Sequence, residues 1–269
     1  MTYIILAVLG LCFGSFIHAV MWRLHARRDF VKERSECEHC KHQLAWYDLL
    51  PVVSWLMLRG RCRYCHRPIG VQHPLIELLT AGLFVGSYIV WPFGFETVGA
   101  ALFGLWLVAI VMLVGLAIYD MRWMLLPDVV VFPLIAIGIA FGLLRWMGVE
   151  DLAVGAALLE VLYGIASIAG VYLLLYVASR GAWVGFGDVK LGVFMGAVLG
   201  WQFGLVALVL ANLIGCLVVV PGLLLRRITA RSRVPFGPFL IAGFIIAGLF
   251  GRQIVDWYLW VSGVGYLLG

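Results

Sequence analysis

Two aspartates and two cysteine pairs are the residues whose types and spacing could do chemistry here. Asp120 closes a long apolar run, 97–119, directly after Ala117-Ile118-Tyr119. Asp188 stands in Gly185-Phe186-Gly187-Asp188, between the apolar run 152–178 and the next one. An ionisable residue within or at the edge of a membrane span is costly, so a functional role is its default reading. Two carboxylates about 3 Å apart cannot both ionise; one keeps the shared proton as an acid while the other activates water as a base. Gly185 and Gly187 lack Cβ atoms and let a backbone or an extended substrate come close, and Lys190 follows two residues on. Glu77 and Glu160 are further acids in apolar surroundings. Asp128, in Leu126-Pro127-Asp128, reads as the start of a helix. On residue types alone a competing reading stays open, in which Asp120 and Asp188 cap helices or pair with Arg122 and Lys190.

The cysteines point to a metal. Cys37-Glu38-His39-Cys40 and Cys62-Arg63-Tyr64-Cys65 are CxxC pairs with 21 residues between Cys40 and Cys62. Each pair can place two thiolates on one ion, and two pairs complete the tetrahedral shell that zinc favours. With Cys37, Cys40, Cys62 and Cys65 all ligating, no position stays open for water, so such a zinc organises the fold and does not catalyse. Disulfides and a redox role compete, but a reducing compartment disfavours disulfides. His39, His42 and His66 are nearby alternative ligands, whereas Cys12 and Cys216 read as small apolar residues of helices.

The elements that must position these groups are membrane helices. Of the 269 residues 64% are hydrophobic and 12% charged, against about 25% charged in an average soluble domain. Runs near 2–22, 75–92, 97–119, 129–147, 152–178 and 203–225 are each long enough to cross a hydrocarbon layer of ~30 Å. Two shorter ones, 189–201 and 236–251, span only if tilted or shielded. The expected fold is an all-α polytopic membrane protein of about eight transmembrane helices, with a small zinc-type cytoplasmic insertion after the first. Its parts are a first helix (1–22), a polar four-cysteine insertion (23–73) and an embedded core (74–269). Ten of the 19 Lys and Arg lie between Arg23 and Arg67, and Arg122, Arg180, Lys190, Arg226, Arg227, Arg231 and Arg233 fall on the same side if eight spans alternate. The positive-inside rule then places the insertion in the cytoplasm and both termini outside. The net charge of +5 reflects that asymmetry and gives no reason to expect nucleic-acid binding. Segment 1–22 has no basic n-region and no small-residue cleavage signal, and reads as a retained helix.

Taken together these residues resemble the type IV prepilin peptidases, which also serve type II secretion. Gly14-Ser15-Phe16 with Arg23 is similar to the family's first-helix signature. Trp46-Tyr47-Asp48-Leu49-Leu50-Pro51, Ser54-Trp55-Leu56 and Arg59 through Cys65 resemble its cytoplasmic domain, and Pro74 through Thr80 continue the pattern. Asp120, Leu126-Pro127-Asp128 and Gly185 through Lys190 resemble its protease core. The sequence departs from that pattern at His18, Glu38, Gly70, Gln72 and His73, where the family usually has Asn, Pro, Ser, Arg and Tyr respectively.

The resemblance implies a metal-independent aspartic protease of the bacterial inner membrane that removes the basic leader of prepilins or pseudopilins. Cleavage would follow a Gly on the cytoplasmic side, with Asp120 and Asp188 as the catalytic pair and Gly185, Gly187 and Lys190 supporting the catalytic loop. It also implies N-methylation of the new N-terminal residue, commonly Phe, from S-adenosylmethionine, whose binding residues the sequence does not disclose. Glu33, Glu36, Glu38 and Asp48 are candidates to attract a basic leader, against a plainer reading as solvated loop charges. Two rivals remain: an intramembrane protease that cuts within helices, and a transporter or channel using Asp120, Asp188 and Glu160 as an ion path.

Overall fold

The structure is a computed structural model that describes residues 1–29, 34–226, 229 and 234–262. Lys32, Glu33, Arg227, Arg231 and Arg233, which entered the charge arguments above, lie outside the described residues. Helices follow in the order α1 (Thr2–His25), α2 (Val53–Met57), α3 (Gln72–Ile89), α4 (Thr97–Trp123), α5 (Asp128–Gly148), α6 (Val154–Ser179), α7 (Phe186–Leu224) and α8 (Gly237–Val261). Among the described residues there is no sheet, only isolated bridges at Glu36–Gln43 and Arg61–Pro68.

Among the described residues six helices (α1 and α4 to α8) are long and apolar enough to cross a membrane. Residues such as Leu217, Leu224 and Val177 are at least 66% exposed along them. A continuous apolar surface of that kind has no place in water but is what a bilayer solvates. The chain is a multi-pass membrane protein. Among the remaining helices α3 has 18 residues and carries Glu77, so it is shorter and more polar than the six.

The helix α7 spans 39 residues but is not one rod, because Gly200 has φ 74° and ψ −178°. Only a residue without Cβ adopts that conformation without strain. The neighbours along α6 show the consequence. Gly192 lies against Ala169 and Tyr172, Gly196 and Gly200 against Gly164, and Gly204 against Ile168 again. The chain therefore turns back at Gly200, and the two predicted runs 189–201 and 203–225 are separate limbs. The limb Phe186–Leu199 reaches only ~21 Å at about 1.5 Å per residue. It is shielded on nearly every side, with Leu191, Phe194, Met195 and Ala197 fully buried. The carbonyls of Val198 and Leu199, freed by the break, accept hydrogen bonds from Arg145 Nη1 at 3.4 and 3.3 Å. Counting the limbs of α7 separately gives eight long helical segments among the described residues, as the sequence suggests. The last segment runs further than its apolar stretch, to Val261. Its end carries exposed Trp257, Tyr258 and Trp260, side chains suited to a membrane–water interface.

The chain forms two compact units. The first comprises Met1–Ile89 with Ile110–Ile118. In it α1 and α3 approach closely, Gly10 facing the Ala81 backbone and Gly14 that of Glu77, while Gly115 of α4 faces Ile17 and Met21. The second comprises Val90–Ala109 with Tyr119–Gly269. Its core is aromatic: Trp106 stacks on Phe244 at 5.2 Å and Phe194 lies 4.9 Å from Phe244 between ring centroids.

Candidate active site and metal centre

In the second unit, local sequence sets the depth of each aspartate. The α4 helix stops because Met124 turns left-handed (φ 53°) and its N–H bonds the Asp120 carbonyl; Pro127 then blocks continuation. Asp120 is thereby held in the last turn of α4, and it is buried. Asp188 sits in the first turn of α7, after the extended Gly185, and its Oδ2 accepts the Gly185 N–H at 3.1 Å. That is the back-reaching bond of a helix N-terminus, which satisfies an otherwise orphaned donor.

Asp120 Oδ2 in turn accepts the Gly237 N–H at 3.0 Å, and Gly237 opens α8. Each carboxylate thus takes a backbone donor from a helix N-terminus, the end whose partial positive charge suits an anion. The two are near enough for their charges to act on one another, and both are buried. Among the described residues neither has an ion pair. Lys190 points instead to Asp128, with Nζ 2.5 Å from Oδ1 and its charge over the Phe132 and Phe186 rings. Asp128 does begin α5, but its carboxylate serves Lys190 and makes no cap bond. Glu160 is partly exposed on α6, and its charge acts on Arg145.

Three neighbours were not picked out from the sequence: Gly237, Phe236 and Tyr172. The Tyr172 hydroxyl is buried, has no hydrogen-bond partner among the described residues and lies within electrostatic reach of Asp188. Its ring is 6.2 Å from that of Phe236. The signal for Gly237 was present as Val234-Pro235-Phe236-Gly237-Pro238, a breaker cluster opening an apolar run on the side where Asp120 and Asp188 were expected.

In the first unit the two cysteine pairs form matching knuckles. In each, the residue four after the first cysteine, Lys41 or His66, is left-handed and donates its N–H back to the carbonyl of Cys37 or Cys62. The sulfurs of Cys37, Cys40, Cys62 and Cys65 lie within 4.8 Å of one another, with Cys37 and Cys65 at 3.9 Å. A tetrahedron of sulfurs about 2.3 Å from a central ion has edges of about 3.8 Å, so this cluster can hold a metal. Burial opposes ionisation of Cys37, but N–H groups of Cys40 and His39 and the neighbouring thiols bring it down to about 7. Two of the histidines have partners outside the cluster: His42 stacks on Tyr64 at 3.7 Å, and His39 Nδ1 lies 3.4 Å from Arg67.

Of the insertion's candidate acids Glu38 is exposed, whereas Glu36 and Asp48 are committed. Arg28, 2.6 Å from Glu36, holds that carboxyl below its usual range, with Lys41 adding to the effect. Burial alone would raise Asp48, but Arg63 at 2.8 Å, the Ala45 N–H and the Tyr64 hydroxyl hold it low. Neither offers a free carboxylate to a basic leader, and Glu33 lies outside the described residues.

Residues 8–91 match the Bacterial Peptidase A24 N-terminal domain, and residues 106–220 match the Type IV leader peptidase family. The chain is 37% identical to an Aeromonas hydrophila protein over 84% of its own length and 74% of that relative. It is 32% identical to one from Pseudomonas aeruginosa over 95% and 93%, and 33% identical to one from Pectobacterium carotovorum over 91% of each. This chain belongs to the type IV leader peptidase family. Each of those relatives is named a prepilin leader peptidase/N-methyltransferase. No solved structure matches the chain. Within this leader peptidase, the N-terminal match contains both cysteine pairs and Glu77, and the second contains Asp120, Asp128, Asp188 and Lys190.

Proposed function

We propose that this chain is an aspartic endopeptidase that removes the leader of prepilins or pseudopilins and then methylates the new N-terminal amine. The observation that carries the peptidase reading is the pair of buried carboxylates, Asp120 and Asp188, each held by a helix N-terminus and neither paired with a cation among the described residues. Such a pair shares a proton and acts as a unit, so acid and base are properties of the pair and not of one residue. The unprotonated carboxylate takes a proton from water as its oxygen attacks the scissile carbonyl. The protonated one donates to the developing oxyanion, and collapse expels the amine. The N–H groups of Gly185 and Gly237 keep both side chains oriented through these transfers.

The family resemblance supplies the finer points. The bond cut follows a Gly and lies at the cytoplasmic edge of the inner membrane, where the substrate's apolar helix meets its basic leader. Gly187 supports the loop from beneath, since a Cβ there would press on Leu126 at 3.0 Å. Lys190, paired with Asp128, would tie the start of α7 to that of α5. A path of acids for ion transport is less well supported, because the charges of Asp120 and Asp188 act on one another while that of Glu160 acts on Arg145.

For the metal, zinc suits the four thiolates, which leave no position for a water and so give it a structural role. For the methyl step, S-adenosylmethionine would supply an electrophilic methyl group. The first unit offers a cavity of about 250 Å³ with Trp22 and Trp55 in its lining, and aromatic faces suit a cationic sulfonium.

The test is direct. Purified protein in detergent is incubated with a prepilin, and Asp120→Asn and Asp188→Asn are each expected to slow leader removal by at least about 100-fold. Cleavage at the wild-type rate by either variant would remove the central claim.

A further inference from the structure

The cavity of the first unit holds a carboxylate for which the proposed peptidase chemistry has no use. Its lining includes Ser15 and His18 of α1, His73 and Glu77 of α3, and Trp22 and Trp55. Glu77 is 7% exposed. Its Oε2 accepts the Val52 N–H at 2.7 Å, and Ser15 lies beside the carboxylate. Glu36 and Asp48 of the lining have counter-ions, Arg28 and Lys41 for the first and Arg63 for the second, and Glu38 is exposed to solvent. Glu77 has none among the described residues. Buried charges are ordinarily paired, so a buried carboxylate that lines a cavity without a cation is a place for one.

The surroundings are built around that group. Gly14 has no side chain, and a Cβ there would lie 2.8 Å from the Glu77 Cα, so α1 and α3 come close enough for Ser15 to reach Glu77. Val52 holds its N–H toward the carboxylate from φ 59° and ψ −47°. A β-branched residue rarely adopts positive φ, and such strain persists only where the surroundings over-determine it. His18 and His73, both departures from the family pattern, meet edge to face at 4.2 Å in the same lining.

We propose that Glu77 receives the α-amino group exposed when the leader is removed, and acts as its counter-charge and proton acceptor. The inference rests on the methylation reading above and gives that reading a substrate site. Size favours one end of a ligand: the cavity is about 250 Å³, below the roughly 300–1,000 Å³ that encloses a drug-sized molecule. The proton balance requires such a group. The α-ammonium gives one proton to the Glu77 carboxylate, and the freed nitrogen lone pair forms the N–C bond to the methyl of a sulfonium donor. The S–C bond breaks with its electron pair left on sulfur, as a neutral thioether. The product leaves as a methylated ammonium, and the proton on Glu77 passes to water.

The experiment uses the full chain in detergent and a short synthetic peptide that begins with Phe, with its amino terminus free or acetylated. Calorimetry on the wild type is expected to show the free amine binding at least about tenfold tighter, and Glu77→Gln is expected to abolish that preference. Gln still accepts from Val52, and metal content and melting temperature report whether the variant is folded. Equal binding of both peptides by the wild type, or a preference retained in folded Glu77→Gln, overturns the proposal. So does a variant that changes only the preference for S-adenosylmethionine over S-adenosylhomocysteine, which would assign Glu77 to the donor. Transfer of labelled methyl groups is measured in parallel. Preference for the free amine without transfer sinks the methylation reading and leaves the amine site. Transfer without that preference does the reverse.

Discussion

Gly237 sets the reach of Asp120 more tightly than any side chain does. A Cβ at that position would lie 2.7 Å from Asp120 Oδ2 and 3.3 Å from its Cγ, and the Gly237 N–H is the donor that holds the carboxylate. Gly237→Ala therefore has to push Asp120 out of its present position, where its charge reaches Asp188. A shift of about 1 Å at a reacting group costs up to roughly 100-fold in rate. The expected outcome is a fall in leader removal of between about 10- and 100-fold, with the melting temperature little changed. An unchanged rate would mean that Asp120 need not be held there. Tyr172 belongs to the same scale. A buried hydroxyl without a partner is costly, and this one lies beside Asp188 and next to Phe236.

Among the elements, the cysteine insertion and the α7 turn solve opposite problems. The insertion has little apolar interior: α2 is five residues long with no buried residue, and of the cysteine cluster only Cys37 and Cys62 are buried. A segment so small relies on a staple. Cys37→Ser or Cys62→Ser is expected to lose about one zinc per chain, read by metal analysis, and to loosen the insertion, read as faster proteolysis between Arg34 and Arg67. A metal-free wild-type protein with the same protease resistance would refute the structural role. The α7 limb, by contrast, is buried but too short to cross alone. Its broken end is satisfied by Arg145, which also lies 4.7 Å from the centroid of the Trp146 ring. Arg145 lies within the apolar run 129–147, and hydropathy alone reads it as a loop charge on the outer side. The structure buries it against the carbonyls that Gly200 releases, and no local pattern could have announced a partner more than 50 residues away.

At the scale of the molecule, the alternation of spans and the uneven spread of basic residues predict that the insertion faces the cytoplasm. Lys41 in the insertion is well exposed, which makes it a reporter. A membrane-impermeant amine reagent is expected to label Lys41 in inside-out vesicles and to spare it in right-side-out ones, read by peptide mass. The reverse pattern would overturn the orientation. Composition was sufficient for the solvent, the helices and their number, because lipid demands long apolar runs and internally satisfied backbone. Type and spacing were sufficient to mark Cys37, Cys40, Cys62 and Cys65 as a cluster able to hold a metal, since a metal shell needs little beyond four donors. For Asp120 and Asp188 the same information left interfacial acids and a working pair equally open. Hydropathy reports which solvent a residue meets and not which residue it meets. Only the tertiary structure turned α7 back at Gly200, brought α8's first N–H to Asp120, gave Lys190 to Asp128 and left Glu77 without a cation among the described residues. Each of these contacts joins residues distant along the chain, and chain-distant contacts are fixed by packing.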